Sequence, residues 1–345
     1  MTGAGKATCS ARAARFAPAA TFAALALSVS TSSDAARAAN LDRNRQTLFT
    51  DVELRQLYAA PPSKFIDVEG TPFHVRDEGR GPVLILLNGH LGSLQMWDAW
   101  LPQLTPRFRV IRVDYAPYGL SGPDARGDYS TRHAAEQILK LANTLQLGRF
   151  HVGGTSNGAL VALVLAIEHP DRVDRLVVST LPAGRPPART PGAEFAAAVA
   201  EQKALAPFQS RRFFAAFLHD IIANDTVIDD ALIDRYWALN NREGAKAWVD
   251  AYIQTQYTLW DTLDVKTYYA RLTRPMLIQW GADGVVLPRQ IGEDVAALFK
   301  GRPVRLIQYS GAGHLPMIEQ PTQTVRDAIA FLSAPQPPPA AAAER

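Results

Sequence analysis

A serine between glycines is the first candidate for chemistry in this chain of 345 residues. Ser156 stands in the stretch "GGTSNG", where residues 154–158 fit the pattern G-x-S-x-G. The apolar run "FHV" precedes this stretch and the helix-like run "ALVALV" follows it. A serine on a sharp turn from a strand into a helix presents its hydroxyl above the sheet, and glycines let backbone approach on both sides. Because free N–H groups at a helix N-terminus favour negative charge, we interpret Ser156 as a nucleophile.

Strand-like and helix-like segments alternate around this serine from residue 64 onward. The strand-like runs are "FIDVEG", "FHVRDEG", "VLILLN", "FRVIRVD", "RFHVGG", "RVDRLVVS", "PMLIQWG" and "VRLIQYS". The first two predict a hairpin with Gly70-Thr71-Pro72 as its turn, whereas "VLILLN" is apolar throughout, which is typical of a parallel strand covered on both faces. Helical patterns fall between later runs, for example over 131–145 and 159–169. The alternation predicts an α/β fold with a mostly parallel sheet.

One long segment interrupts the alternation. Between Ser179 and Pro275 the sequence has no convincing strand, and it begins with the proline- and glycine-rich stretch "LPAGRPPARTPG". Helical patterns rich in aromatic residues follow, and most of these side chains are expected to form the segment's own core. They are Phe213, Phe214, Phe217, Tyr236, Trp237, Trp248, Tyr252, Tyr257 and Trp260. We predict a helical cap over the carboxyl ends of the strands.

From Lys64 to Ser333 the chain resembles the α/β-hydrolase-fold superfamily, in its serine-nucleophile branch with a helical cap. The matching stretches are "LILLNGHLGSLQMWDAW", "RVIRVDYAPYGLSGPD", "HVGGTSNGAL", "PMLIQWGADGVVLP" and "YSGAGHLPMIEQP". The resemblance implies a mostly parallel, eight-stranded sheet flanked by helices, with the cap inserted after the sixth strand. It implies no cofactor. The chain also has no close His, Asp and Glu cluster with metal-ligand spacing, and no Gly-rich phosphate loop follows the first strand.

The patterns divide the chain into six parts. In order, they are a signal peptide (1–38), a helical lead-in (39–62), a first core segment (63–182), the helical cap (183–272), a second core segment (273–333) and a disordered tail rich in proline and alanine (334–345).

The resemblance also assigns an oxyanion hole. In this family one backbone N–H comes from the loop after the third strand and another from the residue after the nucleophile, which here are His90 and Asn157. Two such donors are each worth about 10²–10³ in rate. The family usually has His-Gly at the start of this loop, whereas this chain has Asn88-Gly89-His90. We expect Asn88 to hold the loop by hydrogen bonds in place of that histidine.

A base for Ser156 is expected in the loop "SGAGHLPMIEQP". A serine hydroxyl needs a base with a pKa near neutrality within hydrogen-bond reach, and histidine is the usual choice. His314 lies between the last strand and the final helix, whereas His151 is inside a buried strand and His169 ends a helix. We therefore predict His314 as the base.

The acid that would orient this histidine departs from the family pattern. The family has Gly-x-x-Asp after the strand "PMLIQWG", but here Asp283 comes one residue early and Gly284 fills the expected position. Three alternatives follow: the turn is shifted and Asp283 orients His314, the acid comes from elsewhere, or no acid remains. We take Asp283 as the predicted acid, whose loss typically costs about 10⁴ in turnover.

The first 38 residues are typical of an export signal. Basic residues precede the apolar run from Phe16 to Val29, and the small-x-small tripeptide Ala36-Arg37-Ala38 follows. Without this segment, the net charge of +3 and the single cysteine, Cys9, are both lost. The remaining chain would be near neutral, so the composition gives no support for binding nucleic acid. We predict an exported protein, periplasmic or secreted, with no membrane span in its mature form. Its oligomeric state stays open.

The predicted function is that of a serine hydrolase which cleaves an ester, or a related acyl bond, of a small and fairly apolar substrate. Trp97, Tyr257 and Trp260 are predicted to line the substrate pocket. Carbon–carbon bond hydrolases, lactonases and cofactor-free haloperoxidases share the same triad, so these reactions remain alternatives. A non-catalytic ligand-binding protein is a further alternative, favoured by the glycine at position 284.

Overall fold

The computed structural model describes residue 3 and residues 41–184, 188–262 and 264–335, with the side chains of 257–262 outside the description. The predicted signal peptide, apart from residue 3, and the tail from residue 336 onward also lie outside the described residues. The described chain begins with helix α1, Asp51–Tyr58, whose first turn is held by a capping box between Thr50 and Glu53.

The described strands form one eight-stranded sheet in the order β1-β2-β4-β3-β5-β6-β7-β8. In chain order they are β1 Lys64–Val68, β2 Thr71–Gly79, β3 Val83–Leu87, β4 Arg109–Asp114, β5 Phe150–Thr155, β6 Val173–Ser179, β7 Met276–Gly281 and β8 Val304–Tyr309. Strands β3 to β8 pair in parallel, whereas β2 pairs antiparallel with both β1 and β4. The predicted α/β-hydrolase fold with a mostly parallel sheet is confirmed.

The predicted hairpin between β1 and β2 forms, but its turn lies earlier in the chain than expected. Glu69 and Gly70 carry positive φ angles of 54° and 87°, whereas Thr71 already pairs with Val68 in the sheet. Two successive left-handed residues match the twist of the flanking strands, so the turn closes at Glu69-Gly70. Pro72, which we expected in the turn, is the second residue of β2.

Helices flank the sheet and fill the connections between its strands. They are α2 Leu101–Leu104, α3 Thr131–Thr144, α4 Asn157–Glu168, α5 Ala193–Leu205, α6 Arg211–Ile221, α7 Asp230–Asn240, α8 Ala245–Thr262, α9 Val265–Tyr269, α10 Arg289–Ala297, α11 Pro316–Glu319 and α12 Pro321–Leu332. Two 3-10 helices cover Leu94–Trp100 and Asp225–Val227. The helices α5 to α9 separate β6 from β7, and we call Ala193–Tyr269 the helical insertion.

The strand order brings two loops together at the centre of the sheet. From β3 the chain passes to β4 on one side, and it then crosses to β5 on the other side of β3. The loops after β3 and β5 therefore diverge from one point at the carboxyl edge, where open α/β sheets form a crevice. Residues 88–90 follow β3 and Ser156 follows β5.

Close backbone packing joins these two loops. Helix α4 is buried from Gly158 to Ile167, and a Cβ at Gly158 would overlap the carbonyl oxygen of Asn88. A Cβ at Gly154 would overlap the carbonyl of Gly158. Because only glycine has no Cβ, these two positions allow the turn at Ser156 to lie against the loop after β3.

We expect Gly158→Ala to destabilise the protein. Alanine is normally the better helix former, by about 1 kcal/mol, but overpacking costs about 1–3 kcal/mol. Because the new Cβ would meet backbone and not a movable side chain, we expect the overpacking to win, with the urea midpoint lowered.

Gly148→Ala is the matched control, because a Cβ there meets nothing within 4 Å. Its free energy of unfolding should stay within about 0.5 kcal/mol of the parent. If Gly158→Ala is as stable as Gly148→Ala, the close packing described here is wrong.

Candidate active site

Ser156 occupies the turn between β5 and α4. Its φ and ψ angles are 51° and −121°, a sparsely populated conformation for a residue with a side chain. Its backbone N–H donates to the carbonyl of Ser179 at the end of β6, over 2.9 Å. The turn is thus fixed between two strands while the Ser156 side chain lines a cavity.

His314 lies in the loop after β8, with its ring beside the serine hydroxyl. The distance from His314 Nε2 to Ser156 Oγ is 3.2 Å. Two backbone contacts fix the loop: the His314 N–H donates to the Ile221 carbonyl over 2.9 Å, and the Thr180 hydroxyl donates to the His314 carbonyl over 2.9 Å. The structure therefore brings together the predicted nucleophile and the predicted base.

The predicted acid does not reach this histidine. The Asp283 side chain is exposed, and its Oδ2 accepts the backbone N–H of Gly311 over 2.7 Å. His314 Nδ1 is buried and has no hydrogen-bond partner within the described part of the chain. The prediction that Asp283 orients His314 is wrong in this structure, because the residue one position early in the turn points to the loop amide.

Gly284 occupies the position at which the family pattern has its carboxylate. It is buried, and its φ lies outside the left-handed region. A Cβ at this position would lie 3.3 Å from the Leu287 carbonyl oxygen and 3.4 Å from the carbonyl carbon of Gly313. Gly313 is the residue before His314. The Cβ of a side chain at position 284 would thus lie next to the His314 loop. The neighbouring backbone would have to shift by only a few tenths of an ångström to accommodate it.

Burial keeps the imidazole of His314 neutral. Burial, with smaller electrostatic contributions from His90 and Arg189, lowers the pKa of His314 to about 4. No carboxylate among the described residues raises it. A neutral imidazole can accept the proton of Ser156, but no negative charge on a described residue stabilises the imidazolium that forms.

The two predicted oxyanion donors both line the cavity. Asn157 is the first residue of α4, so its N–H has no intrahelical acceptor. His90 follows the loop that Asn88 holds, since Asn88 Nδ2 donates to the carbonyls of Gly89 and Gly92 over 3.0 and 3.1 Å. The expected role of Asn88 in fixing this loop agrees with these contacts.

The His90 ring has a hydrogen-bond partner of its own, which the backbone role does not require. Its Nδ1 lies 3.0 Å from the Tyr118 hydroxyl, and burial lowers the pKa of His90 to about 4. Tyr118 in turn packs edge-on against Tyr252 of the helical insertion, with ring centroids 5.3 Å apart. A second neutral imidazole therefore stands in the same cavity as His314.

Glu319 connects the His314 loop to the helical insertion. This carboxylate is 4% exposed and accepts four backbone N–H groups. Gly313 and Leu315 donate over 2.8 and 3.1 Å, and Ala223 and Asn224 donate over 2.9 and 3.0 Å. Because His314 lies between the first two donors, the position of its ring depends on the end of helix α6.

A cavity of about 250 Å³ opens above Ser156 and His314. Its described lining is mostly apolar, and the helical insertion supplies much of it. The lining residues outside the pair are Gly89, His90, Met96, Asn157, Pro182, Phe217, Ile221, Tyr236, Tyr252, Ile253, Gln256, Val286, Leu287 and Leu315. None of these side chains carries a charge at neutral pH when the histidines are neutral.

The aromatic residues that we expected in the pocket are placed differently. Trp97 is 1% exposed and packs against Trp100 with ring centroids 4.9 Å apart, so it belongs to the core and not to the cavity lining. The side chains of Tyr257 and Trp260 lie outside the described residues. Tyr252 and Gln256, which the prediction missed as pocket residues, lie four residues apart on one face of α8. That helical spacing is the signal that identifies them.

A second Ser–His–Asp arrangement lies away from the cavity. Ser63 Oγ is 2.8 Å from His74 Nε2, and His74 Nδ1 is 2.7 Å from Asp114 Oδ2. Asp114 also accepts the backbone N–H groups of Leu94 and Leu120. His74 and Asp114 are fully buried, and Ser63 does not line the cavity described above. We interpret this set as a hydrogen-bond network that holds the loop after β4 in place.

The model contains no group of three or more His, Cys, Asp or Glu side chains that could hold a metal ion, within the residues described. In the same part of the chain, no helix is both long and apolar enough to cross a bilayer.

We expect the pKa of His314 to change when a carboxylate is introduced at position 284, and to stay the same when the carboxylate of Asp283 is removed. Asp283→Asn should leave the His314 pKa at about 4, because the Asp283 carboxylate accepts the backbone N–H of Gly311 instead. Gly284→Asp should raise it by about 1–3, since a carboxylate beside an imidazolium stabilises the charged form. NMR of histidine-labelled protein, titrated through the acidic range and assigned with His314→Ala, gives the values.

A matched control is Gly284→Asn, which adds a side chain of similar size without the charge. If Gly284→Asn raises the pKa as much as Gly284→Asp, the effect is not electrostatic. A fall in the pKa upon Asp283→Asn would restore Asp283 as the partner of His314.

We expect Glu319→Gln to lower the free energy of unfolding by about 2–3 kcal/mol. The carboxamide places an NH₂ group where backbone N–H groups converge, so buried donors lose their acceptor. Urea unfolding measures the change. Glu243→Gln, at an exposed glutamate of the helical insertion, is the control and should stay within about 0.5 kcal/mol of the parent. Equal stability of the two variants would contradict the role of Glu319.

Curated proteins similar to this chain include enzymes of several hydrolytic types. A protein of Pseudomonas savastanoi pv. phaseolicola named as a carbamate hydrolase, RutD, is 28% identical over 260 residues, which cover 73% of this chain and 94% of that protein. A fluoroacetate dehalogenase of a Burkholderia species is 33% identical over 119 residues, which cover 33% of this chain and 39% of that protein.

Solved structures share the architecture. A hydrolase of Pseudomonas aeruginosa matches with a TM-score of 0.64 and 27% identity, over 80% of this chain and 100% of that chain. An enol-lactonase of Burkholderia xenovorans matches with a TM-score of 0.63 and 21% identity, over 79% and 100% of the two chains. The model of the α/β-hydrolase fold family matches residues 82–321. Because this match covers more than half of the residues of this chain, the chain belongs to the α/β-hydrolase fold family.

Proposed function

We propose that this chain is a serine hydrolase that cleaves an ester, or a related acyl bond, of a small, uncharged and fairly apolar substrate. The observation that carries the proposal is the 3.2 Å contact between Ser156 Oγ and His314 Nε2, which lies inside a cavity with a mostly apolar lining. A hydroxyl next to a neutral imidazole is the arrangement that activates a serine nucleophile.

The reaction would follow the course of acyl transfer. Ser156 Oγ attacks the substrate carbonyl while His314 Nε2 takes its proton, and the backbone N–H groups of His90 and Asn157 stabilise the oxyanion. The leaving group departs with the proton from His314. Water then attacks the acyl-enzyme with His314 as the base and releases the acid.

Among the described residues His314 has no carboxylate partner, and we propose that it acts without one. The amides bound by Glu319, the Ile221 carbonyl and the Thr180 hydroxyl fix the loop that carries its ring. These contacts position the imidazole but add no negative charge near Nδ1, so the imidazolium is stabilised less than in a full triad. We therefore expect acylation slower than in a complete Ser–His–Asp site.

The helical insertion would act as the cap of this site. Phe217, Ile221 and Tyr236 come from its helices α6 and α7 and line the cavity beside Ser156. Their side chains exclude bulk water from the reacting carbonyl, and they shape the space for the acyl and leaving groups.

Two of the named relatives are compatible with this proposal. A carbamate and an enol-lactone both carry a carbonyl bonded to a heteroatom leaving group, which a serine can attack. A carbamate hydrolase and an enol-lactonase are therefore close in chemistry to the esterase reaction proposed here. The predicted export of the protein through residues 1–38 stays a prediction.

A fluorophosphonate probe tests the proposal without knowledge of the substrate. We expect one covalent adduct, in which Ser156 Oγ bonds to phosphorus and fluoride leaves, detected by intact mass and located by peptide mapping. Ser156→Ala should abolish the adduct. His314→Ala should slow its formation by at least about 10²-fold, because the serine loses its base. Gly284→Asp should accelerate it.

Ser63→Ala is the control, because Ser63 also lies beside a histidine bonded to an aspartate. Its labelling should equal that of the parent, with circular dichroism to verify the fold of each variant. A folded parent protein that stays unlabelled would contradict the hydrolase proposal and favour a ligand-binding protein. An adduct on Ser63 would move the site to the second Ser–His–Asp arrangement.

A further inference from the structure

Gln256 presents a hydrogen-bond donor that the protein itself does not use. Its side chain is 4% exposed, lies on helix α8 and lines the cavity. Gln256 Oε1 accepts the Thr131 hydroxyl over 3.0 Å. Gln256 Nε2 is buried and has no partner among the residues that the structure describes. A buried donor without an acceptor is unfavourable, so a ligand oxygen that reaches this NH₂ group from the cavity would be bound favourably.

The groups near this donor are polar but uncharged. Tyr252, one turn earlier on α8, lines the same cavity, and burial raises the pKa of its hydroxyl well above the usual value. Its ring packs on Tyr118, which is bonded to His90. Burial lowers the pKa of His90, so its ring is neutral at pH 7. This wall of the cavity can bind polar atoms without providing a charge.

The arginine whose charge acts on His314 is already paired. Arg189 acts on His314 through its charge, but its guanidinium donates to both carboxylate oxygens of Asp220. It is not among the described residues that line the cavity. A substrate carboxylate would therefore lose its hydration without meeting a free cation, which is unfavourable.

We propose that the NH₂ group of Gln256 binds an acceptor oxygen of the substrate, so that the preferred substrate is an uncharged acyl compound with a second carbonyl or ether oxygen beyond the scissile carbonyl. This inference rests on the proposed hydrolase function, which places the scissile carbonyl beside Ser156. A donor with no protein acceptor distinguishes substrates strongly, because an analogue without the oxygen leaves it unpaired.

Three esters that share phenol as their leaving group test the inference. They are phenyl pentanoate, phenyl 4-oxopentanoate and the phenyl monoester of pentanedioic acid. We expect the parent to prefer the 4-oxo ester over the pentanoate about tenfold in kcat/KM, the effect of one hydrogen bond. The anionic monoester should be the poorest of the three. In Gln256→Leu and Gln256→Met the preference for the 4-oxo ester should fall to about one, because neither side chain has a donor.

Gln254→Leu is the matched control, because Gln254 lies on the exposed side of the same helix. It should keep the parental preference. The proposal is overturned if the 4-oxo ester has no advantage in the parent, if the advantage survives in both Gln256 variants, or if the anionic monoester is preferred.

Binding separates this inference from the proposed function. Calorimetry with the Ser156→Ala protein, alone and combined with Gln256→Met, gives the affinities of phenyl pentanoate and phenyl 4-oxopentanoate without turnover. If no ester is hydrolysed by the parent but the 4-oxo ester binds about tenfold tighter only when Gln256 is present, the polar subsite stands and the hydrolase function fails. If hydrolysis occurs and the affinities are equal in both proteins, the subsite fails alone.

Discussion

Backbone contact between Gly158 and the carbonyl of Asn88 is the constraint on which the site depends. It brings the start of helix α4 against the loop after β3, at the point where the strand order reverses. Because that approach is close, the strained Ser156 and the N–H groups of His90 and Asn157 share one small space. Neither loop could be moved independently, since the packing of β3 and β5 in the sheet fixes the distance between them.

The position of the base depends on a different part of the chain. His314 belongs to the core, but its loop is bonded to the end of helix α6 through the Ile221 carbonyl and the carboxylate of Glu319. The helical insertion therefore does more than cover the cavity, because it carries acceptors and donors that fix the histidine backbone. A displacement of α6 would change the distance between His314 Nε2 and Ser156 Oγ, so the proposed chemistry is coupled to the seating of the insertion.

Local patterns in the sequence predicted the parts that local physics determines. Apolar runs gave the strands, and the glycines around Ser156 indicated a close approach that the structure contains. The acid was wrong because the direction of Asp283 depends on a turn, where a nearby amide, that of Gly311, captures the carboxylate. Trp97 was wrong because its packing on Trp100 is a tertiary contact. Gln256 was missed because a buried donor without a partner is visible only when its surroundings are known.

The uncharged character of the cavity explains how these features fit together. Burial disfavours every charged form, so it lowers the pKa of both histidines and would also penalise an unpaired carboxylate at position 284. The same low dielectric strengthens any charge pair that does form, so a carboxylate beside His314 would act strongly on its imidazolium. The glycine at this position thus keeps the site neutral at a cost to the stabilisation of developing charge. Such a site would discriminate by shape and by neutral hydrogen bonds, which is the role proposed for Gln256.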